Sequence, residues 1–453
     1  MTTTDLSIVI LAAGKGTRMK SRLPKVLHAI AGKPMLGHVL TATGALRGAR
    51  QVLVVGPEQD EVSTYARTVD ATLDVAVQND QRGTGDAARA ALPQLGGSDG
   101  VVLVVFGDTP LMRSETLDEM VQLCRNGSEI VALGFEAADP AGYGRLVLEG
   151  SEVLRIVEHK DATDSERDIT SCFGGPLAVR ASHFSALLAK LTNENAQGEF
   201  YLTDIVAHAR AAGLGCRAIF CPEADIQGVN SRADLASAEA AIQQRLRQSA
   251  MAGGVTFLDP ATAYLSFDTR FGQDVTVGQN VIFSPGCEIA SGATIKAFSH
   301  LEGALIGEGA EVGPFARIRP GSDIGRKARV GNFVEIKKAK VEEGAKINHL
   351  SYIGDARVGA GANIGAGTIT CNYDGYNKSF TDIGAGAFVG SNSALVAPVR
   401  IGDGAYLGSG SVITRDVAAG ALAVTRSRQF EKPGWAAAFR ARNESAKKMS
   451  SGD

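Results

Sequence analysis

The sequence lacks the features that would place it in several large classes of protein. Neither sign of charge dominates, since 46 Lys and Arg stand against 49 Asp and Glu for a net charge of −3. A dedicated nucleic-acid binder, or a protein held on an anionic membrane, carries a basic excess that is absent here. No run approaches the ~18 uninterrupted apolar residues of a membrane span, and no basic stretch precedes the apolar SIVIL near the start. A cytoplasmic protein is expected, without nucleic-acid or membrane partners. The six cysteines form no CxxC pair, which argues against a disulfide framework or a zinc site. Aromatic residues make up only 6%. Glycine is the exception, with 54 among 453 residues, well above the ordinary ~7%; that excess calls for a repetitive, glycine-rich architecture.

The chain is long enough for two or three domains at ~150 residues each. Up to about residue 230, short β-branched runs (SIVILAAG, QVLVVG, GVVLVVFGD) alternate with helical stretches, the pattern of a mostly parallel sheet covered on both faces. A connecting helix follows. Ser231, with Asp234 three residues later, caps it, Leu235, Ala238, Ile242 and Leu246 form its stripe, and Gly253 and Gly254 stop it. Beyond residue 254 an apolar residue recurs every six: Val277 to Leu301, Ile306 to Ile336, and Ile383 to Ile413. This period is that of a parallel β-helix whose triangular coil spends one hexad on each side, and it predicts seven or eight coils. The register breaks between Leu301 and Ile306, near Ile353 and Val358, and at the insertion Cys371 to Asp382. Insertions in a solenoid emerge as loops on one face. A mildly basic tail follows Arg415.

Two places gather chemistry. After the first strand comes LAAGKGTRMKSRLPKVL, where Gly14 and Gly16 open backbone amides to a phosphate while Arg18 and Lys25 supply positive charge. A third glycine is missing for the dinucleotide fingerprint, and Gly-Lys-Ser/Thr is missing for a Walker loop. Asp108 ends the strand of GVVLVVFGDTP, where ligands collect in open α/β sheets, and is read as a ligand of Mg²⁺, which needs only one or two protein oxygens when phosphates are bound. In the solenoid, polar residues concentrate where the repeat breaks: Arg319, Lys337, His349, Tyr352, Asn363 and the CNYDGYNK loop. Acyl transfer to an amine needs a base that titrates near neutrality, and His349 is read as that base.

Taken together, LAAGKGTRMKSRLPK, QNDQRGTGDA, FGDTP, GYGRLV, IVEHKDAT, NAQGEFYLTDI and QGVNSR resemble the sugar-phosphate nucleotidyltransferases. With both halves in order from residue 6 to about 435, the chain is similar to the bacterial bifunctional N-acetylglucosamine-1-phosphate uridyltransferases/glucosamine-1-phosphate acetyltransferases. The resemblance implies an α/β Rossmann-like nucleotidyltransferase domain (1–232), a linker helix (233–253) and a left-handed parallel β-helix of hexapeptide repeats with its tail (254–453). It implies acetyl transfer from acetyl-CoA to glucosamine 1-phosphate, then uridylyl transfer from UTP to give UDP-N-acetylglucosamine, a precursor of peptidoglycan and outer-layer lipid. Mg²⁺ would rest on Asp108 and Asn230; Leu11, Ala12, Ala13, Gly14, Lys25, Gln78, Gly83 and Thr84 would hold the nucleotide; Gly144 and Glu158 would contact the sugar. For acetyl transfer, Arg319, Lys337 and Lys378 match sugar-phosphate positions, with Tyr352 and Asn363 on the sugar. Asn372 and Tyr373 match loop residues near the acetyl group, and Ala366, Ser391, Ser409 and Arg426 match positions along acetyl-CoA. Solenoids of this type form homotrimers with active sites between neighbours, so Arg426 would serve another subunit's site. One departure stands out: the family's usual sugar-contacting Asn is replaced by Phe173, which has no side-chain donor or acceptor.

Two other readings compete with this one. A nucleotidyltransferase could use its solenoid only to oligomerise, but His349, Lys337 and the CNYDG loop argue against that. A non-catalytic scaffold has no need of Arg18, Lys25, Asp108 and Asn230 together.

Overall fold

The computed structural model describes residues 5–95 and 100–450, with side chains through residue 445. Residues 1–4 and 451–453, the outer limits of the two expected domains, lie outside the described residues, as do 96–99. The chain divides into two compact units, Met1–Ala252 with Tyr264–Phe267, and Gly253–Ala263 with Asp268–Asp453.

In the first unit, strands β1 (Leu6–Leu11), β2 (Arg50–Val55), β3 (Asp74–Val77), β4 (Val101–Phe106), β5 (Ile130–Glu136), β6 (Arg145–Glu149), β7 (Glu152–Val157), β8 (Ser171–Arg180) and β9 (Cys216–Phe220) form one sheet. Their order is β3-β2-β1-β4-β8-β5-β9-β7-β6. Strands β3, β2, β1 and β4 run parallel, whereas β8 is antiparallel to β4 and β5. All six residues of β1 are buried, as are the last five of β2 and the first five of β4. Such continuous apolar runs follow from helices covering both faces, and each aliphatic side chain taken out of water contributes on the order of 1.5–3 kcal/mol. β1 and β4 end side by side, with Leu11 opposite Phe106, so the glycine loop and Asp108 emerge from neighbouring carboxyl ends.

The expected helix is α2 (Arg232–Ala252). Its start is fixed reciprocally: Asp234 N–H donates to Ser231 Oγ at 3.2 Å, and Ser231 N–H to Asp234 Oδ2 at 2.8 Å. Ala238 is buried, and Leu235 and Ile242 pack with it against Ile30, Met35, Leu111 and Val229. The helix thus belongs with the first unit. So does Tyr264–Phe267, because buried Gln243 donates to the Leu265 carbonyl at 2.6 Å and accepts from its N–H at 2.8 Å.

The second unit is a left-handed parallel β-helix. Its strands are two to seven residues long, and partners on one face stand a coil apart, as in Thr276 with Thr294 and Thr294 with Glu311. Every predicted hexad residue from Val277 to Ile413 is buried. One face holds ten strands, from Thr256–Phe257 to Leu422–Ala423. The solenoid is therefore longer than the seven or eight coils expected, since its first and last strands lie outside the clear hexad run. The insertion leaves between Cys371 and Thr381 without breaking the stack, as Ala356 pairs directly with Thr381. The tail ends in helix α3 (Trp435–Ser450).

Candidate functional site

The first candidate site is a cavity of about 490 Å³ where β1 and β4 end, lined by Leu11, Ala12, Ala13, Gly14, Lys15, Lys25, Gln78, Gln81, Gly83, Thr84, Asp108 and Glu199, among others. Lys25 is its electrostatic centre. Its Nζ donates to Asp108 Oδ2 and, at 3.1 Å, to Asn230 Oδ1. The Asn230 segment is held in place by the backbone, because Val229 N–H donates to the Asp108 carbonyl at 2.9 Å. Gly16 does not line the cavity. It adopts a left-handed φ of 60°, and a Cβ there would lie 2.7 Å from Lys25 Cβ, so this glycine seats the lysine rather than offering an amide.

Across the cavity, Gln78 Nε2 donates to the Gly83 carbonyl and to Asp86 Oδ2, both at 2.9 Å. Gly83 has φ 111°, and a Cβ would meet the Phe200 carbonyl at 2.7 Å; only glycine lets the two segments approach this closely. Thr84, at the start of helix α1 (Thr84–Ala90), accepts from Leu202 N–H at 3.0 Å. One residue on, Thr203 Oγ1 donates to Glu158 Oε1 at 3.0 Å. Burial pushes the Glu158 carboxyl above its ordinary range, with the Thr203 hydrogen bond opposing it. A Cβ at Gly144 would lie 3.7 Å from Glu158 Oε2 and 3.6 Å from Phe173 Cβ, so these three residues form one wall. Arg18 is exposed on the turn Thr17–Met19 and, like Gly144, Glu158 and Asn230, is not among the residues lining the cavity itself.

Among the described residues no group of three or more His, Cys, Asp or Glu could hold a metal ion. Mg²⁺ does not require one. A carboxylate and an amide oxygen converging on a single cationic atom are hard donors suited to that ion, and on this test Asp108 and Asn230 fit it.

The second candidate site lies on one corner of the solenoid. Coils stack there through backbone hydrogen bonds that tie His349 to Gly367 (3.3 Å), Ala366 to Asn392 (2.7 Å) and Ser391 to Gly410 (2.7 Å). The Arg426 guanidinium donates to the Ser409 carbonyl. Hence His349, Ala366, Ser391 and Ser409 form one file with the Arg426 guanidinium at its end, which their uneven spacing across the register breaks does not reveal in the sequence. His349 is exposed, and its Nδ1 lies 2.7 Å from Asn332 Oδ1. On an adjoining face, Arg319 donates to Glu335 at 2.8 Å, Glu335 pairs with Tyr352, and Lys337 pairs with Gly354. Asn363 pairs with Lys346 on the strand that carries His349. In the inserted loop, Tyr373 and Lys378 are exposed and bridged, while Asn372 is buried and donates to Asp355 from the loop's base.

Lys15, Gln81, Glu199, Asn332 and Glu335 were not singled out from the sequence. The signal for the first three was their place inside motifs already noted, and Gln81 Nε2 donates to the Ala13 carbonyl at 2.5 Å. Asn332 had no signal, because an asparagine at a solenoid corner reads as a turn residue.

A parallel-sheet cleft with a cation between two oxygen donors, followed by a hexapeptide β-helix, defines a nucleotidyltransferase joined to a hexapeptide acyltransferase. Residues 8–212 match the MobA-like NTP transferase domain, and residues 380–415 match the bacterial transferase hexapeptide family. The chain is 74% identical over 450 residues to "Bifunctional protein GlmU" of Parvibaculum lavamentivorans, covering 99% of this chain and 100% of that protein. Proteins of the same name from Paramagnetospirillum magneticum (99% of each chain) and Sphingopyxis alaskensis (96% of each chain) are each 52% identical. The chain belongs to the GlmU family of bifunctional proteins. It is an enzyme with uridyltransferase and acetyltransferase activities, acting on nucleotide and acyl-CoA substrates. Among the described residues no helix is long and apolar enough to cross a membrane.

Proposed function

We propose that the cavity at the end of β1 and β4 carries uridylyl transfer and that the His349 corner carries acetyl transfer. The observation that carries the first half is the bridging of Lys25 between Asp108 and Asn230. An oxygen of the sugar 1-phosphate attacks the α-phosphorus of UTP and pyrophosphate leaves, so the protein's work is positioning and charge stabilisation. Lys25 and Arg18 meet the phosphates. Leu11 to Gly14, with Gln78, Gly83 and Thr84, hold the nucleotide, where Gln78, its amide N–H groups held by Gly83 and Asp86, offers its carbonyl oxygen as an acceptor to a pyrimidine edge. Gly144 and Glu158 orient the sugar. Mg²⁺, held by Asp108 and Asn230, supplies neutralisation of phosphate charge.

At the corner, the amine of glucosamine 1-phosphate attacks the thioester carbonyl of acetyl-CoA and the thiol of coenzyme A leaves. His349 accepts the proton that the attacking nitrogen must lose. Arg319, Lys337 and Lys378 hold the phosphate, Tyr352 and Asn363 the sugar. Asn372 and Tyr373 flank the acetyl group, and the file Ala366, Ser391 and Ser409 carries the coenzyme, with Arg426 serving a neighbouring subunit's site. The product, N-acetylglucosamine 1-phosphate, is the sugar phosphate that the first site consumes. UDP-N-acetylglucosamine then serves peptidoglycan and outer-layer lipid synthesis.

The chain acts as a homotrimer through the solenoid. Supporting this, Phe298, Phe315, Phe333 and Leu350 are all exposed at 45% or more, and the three phenylalanines stack at 4.9 and 5.2 Å. All four have positive φ of 50–61°, a strained conformation for bulky residues. An apolar file of this kind in water needs a partner, and it runs in line with His349. The six free cysteines fit the reducing cytoplasm, where we place the reaction.

Mass spectrometry of products from the purified protein, given glucosamine 1-phosphate, acetyl-CoA, UTP and Mg²⁺ with each omitted in turn, tests the scheme. UDP-N-acetylglucosamine is expected only from the complete mixture.

A further inference from the structure

We propose that Asn332 is the positioning residue of the acetyl-transfer site, fixing the ring orientation and the tautomer of His349. Asn332 ends the strand Arg329–Asn332, His349 ends the strand Lys346–His349, and the two pair directly in register. They therefore occupy one corner slot in successive coils. The residue after each takes the left-handed turn, Phe333 at φ 54° and Leu350 at φ 50°. Asparagine is the residue that most readily adopts that conformation after glycine, yet here a phenylalanine carries it, and the asparagine side chain is left for the neighbouring coil. It meets His349 Nδ1 at 2.7 Å.

With the amide oxygen as acceptor, Nδ1 carries the ring proton and Nε2 keeps its lone pair. That is the form a general base needs. Asn332 is the one side chain hydrogen-bonded to the imidazole among the described residues. The charged residues on these two strands are Arg329 and Lys346, themselves paired, and the next strand, Asn363–Ile364, carries none. The orienting partner is thus a neutral amide rather than a carboxylate, so it holds the ring through a hydrogen bond without placing a negative charge beside it.

The inference rests on reading His349 as the base. In the full-length enzyme, acetyl transfer is followed by thiol release from pH 6 to 9 for Asn332→Ala, Asn332→Asp and His349→Ala, with uridylyl transfer measured alongside. Asn332→Ala is expected to lower kcat by about 10- to 100-fold, part of the ~10²–10⁴ that a general base supplies, with both KM values changed less than about twofold. Asn332→Asp restores an acceptor, so kcat recovers while the acid limb of the profile moves to higher pH. If Asn332→Ala keeps the parent kcat and pH profile while His349→Ala is inactive, the positioning role is wrong and the base reading stands. If His349→Ala still transfers acetyl groups at the parent rate, the base reading falls and the proposal with it.

Discussion

The backbone N–H of Phe173 donates to the Gly144 carbonyl across 2.8 Å. Sheet pairing therefore brings an aromatic side chain to the wall that also holds Glu158, where it gives a sugar hydroxyl no hydrogen bond. Restoring one is worth about 0.5–1.5 kcal/mol. Phe173→Asn should lower KM for N-acetylglucosamine 1-phosphate by about 2- to 10-fold, leaving acetyl transfer as it was. An unchanged KM from initial rates of pyrophosphate release would remove Phe173 from the sugar wall.

Each activity should fail alone. Asp108→Ala is expected to cut uridylyl transfer by at least about 10²-fold while acetyl transfer persists, and His349→Ala to do the reverse. Separate assays on each variant check this, and loss of both activities in either would refute independent sites.

Glu158 links stability to pH. Its folded carboxyl keeps a proton to higher pH than the ordinary 4.5, so the folded state binds more protons than the unfolded one between the two values. Stability is therefore lost as pH rises through the folded pKa. Glu158→Gln removes that cost and should raise Tm by a few degrees at most (~1–3 °C) at pH 7.5, with the gain vanishing near pH 4, while sugar affinity falls. Thermal unfolding at the two pH values reads the difference.

Phe333 is 56% exposed within the aromatic file. If the proposed trimer is held through this file, a charge there, as in Phe333→Asp, should shift it toward monomer in sedimentation velocity and depress acetyl transfer, with uridylyl transfer preserved. A variant that remains trimeric would place the subunit contact elsewhere.

Much of this was legible in the residues. Hexad spacing fixed which side chains face the prism, because an inward position must be apolar in every coil; Val277 through Ile413 obey it. The cap of α2 was equally plain, since Ser231 and Asp234 act within one turn. Lys25 and Asp108 could be picked out by residue type and strand end. That Asn230 would stand beside Lys25 followed only from the resemblance, not from residue type or spacing, since it is the folded backbone, with Val229 N–H on the Asp108 carbonyl, that brings it there. The hydrogen bond from His349 to Asn332 was hidden for a similar reason: it crosses a whole coil, and the residue that takes the turn, Phe333, is one that turn rules would not choose.

The corner file turns chain length into distance. Successive coils sit about 4.8 Å apart, so the three steps from His349 through Ala366 and Ser391 to Ser409 measure out ~14 Å. The solenoid works as a ruler with one graduation per coil. A deleted coil between His349 and Ser409 would leave every buried residue in a proper hexad, yet shorten the scale by one mark, and with it the span of the file proposed to carry the coenzyme.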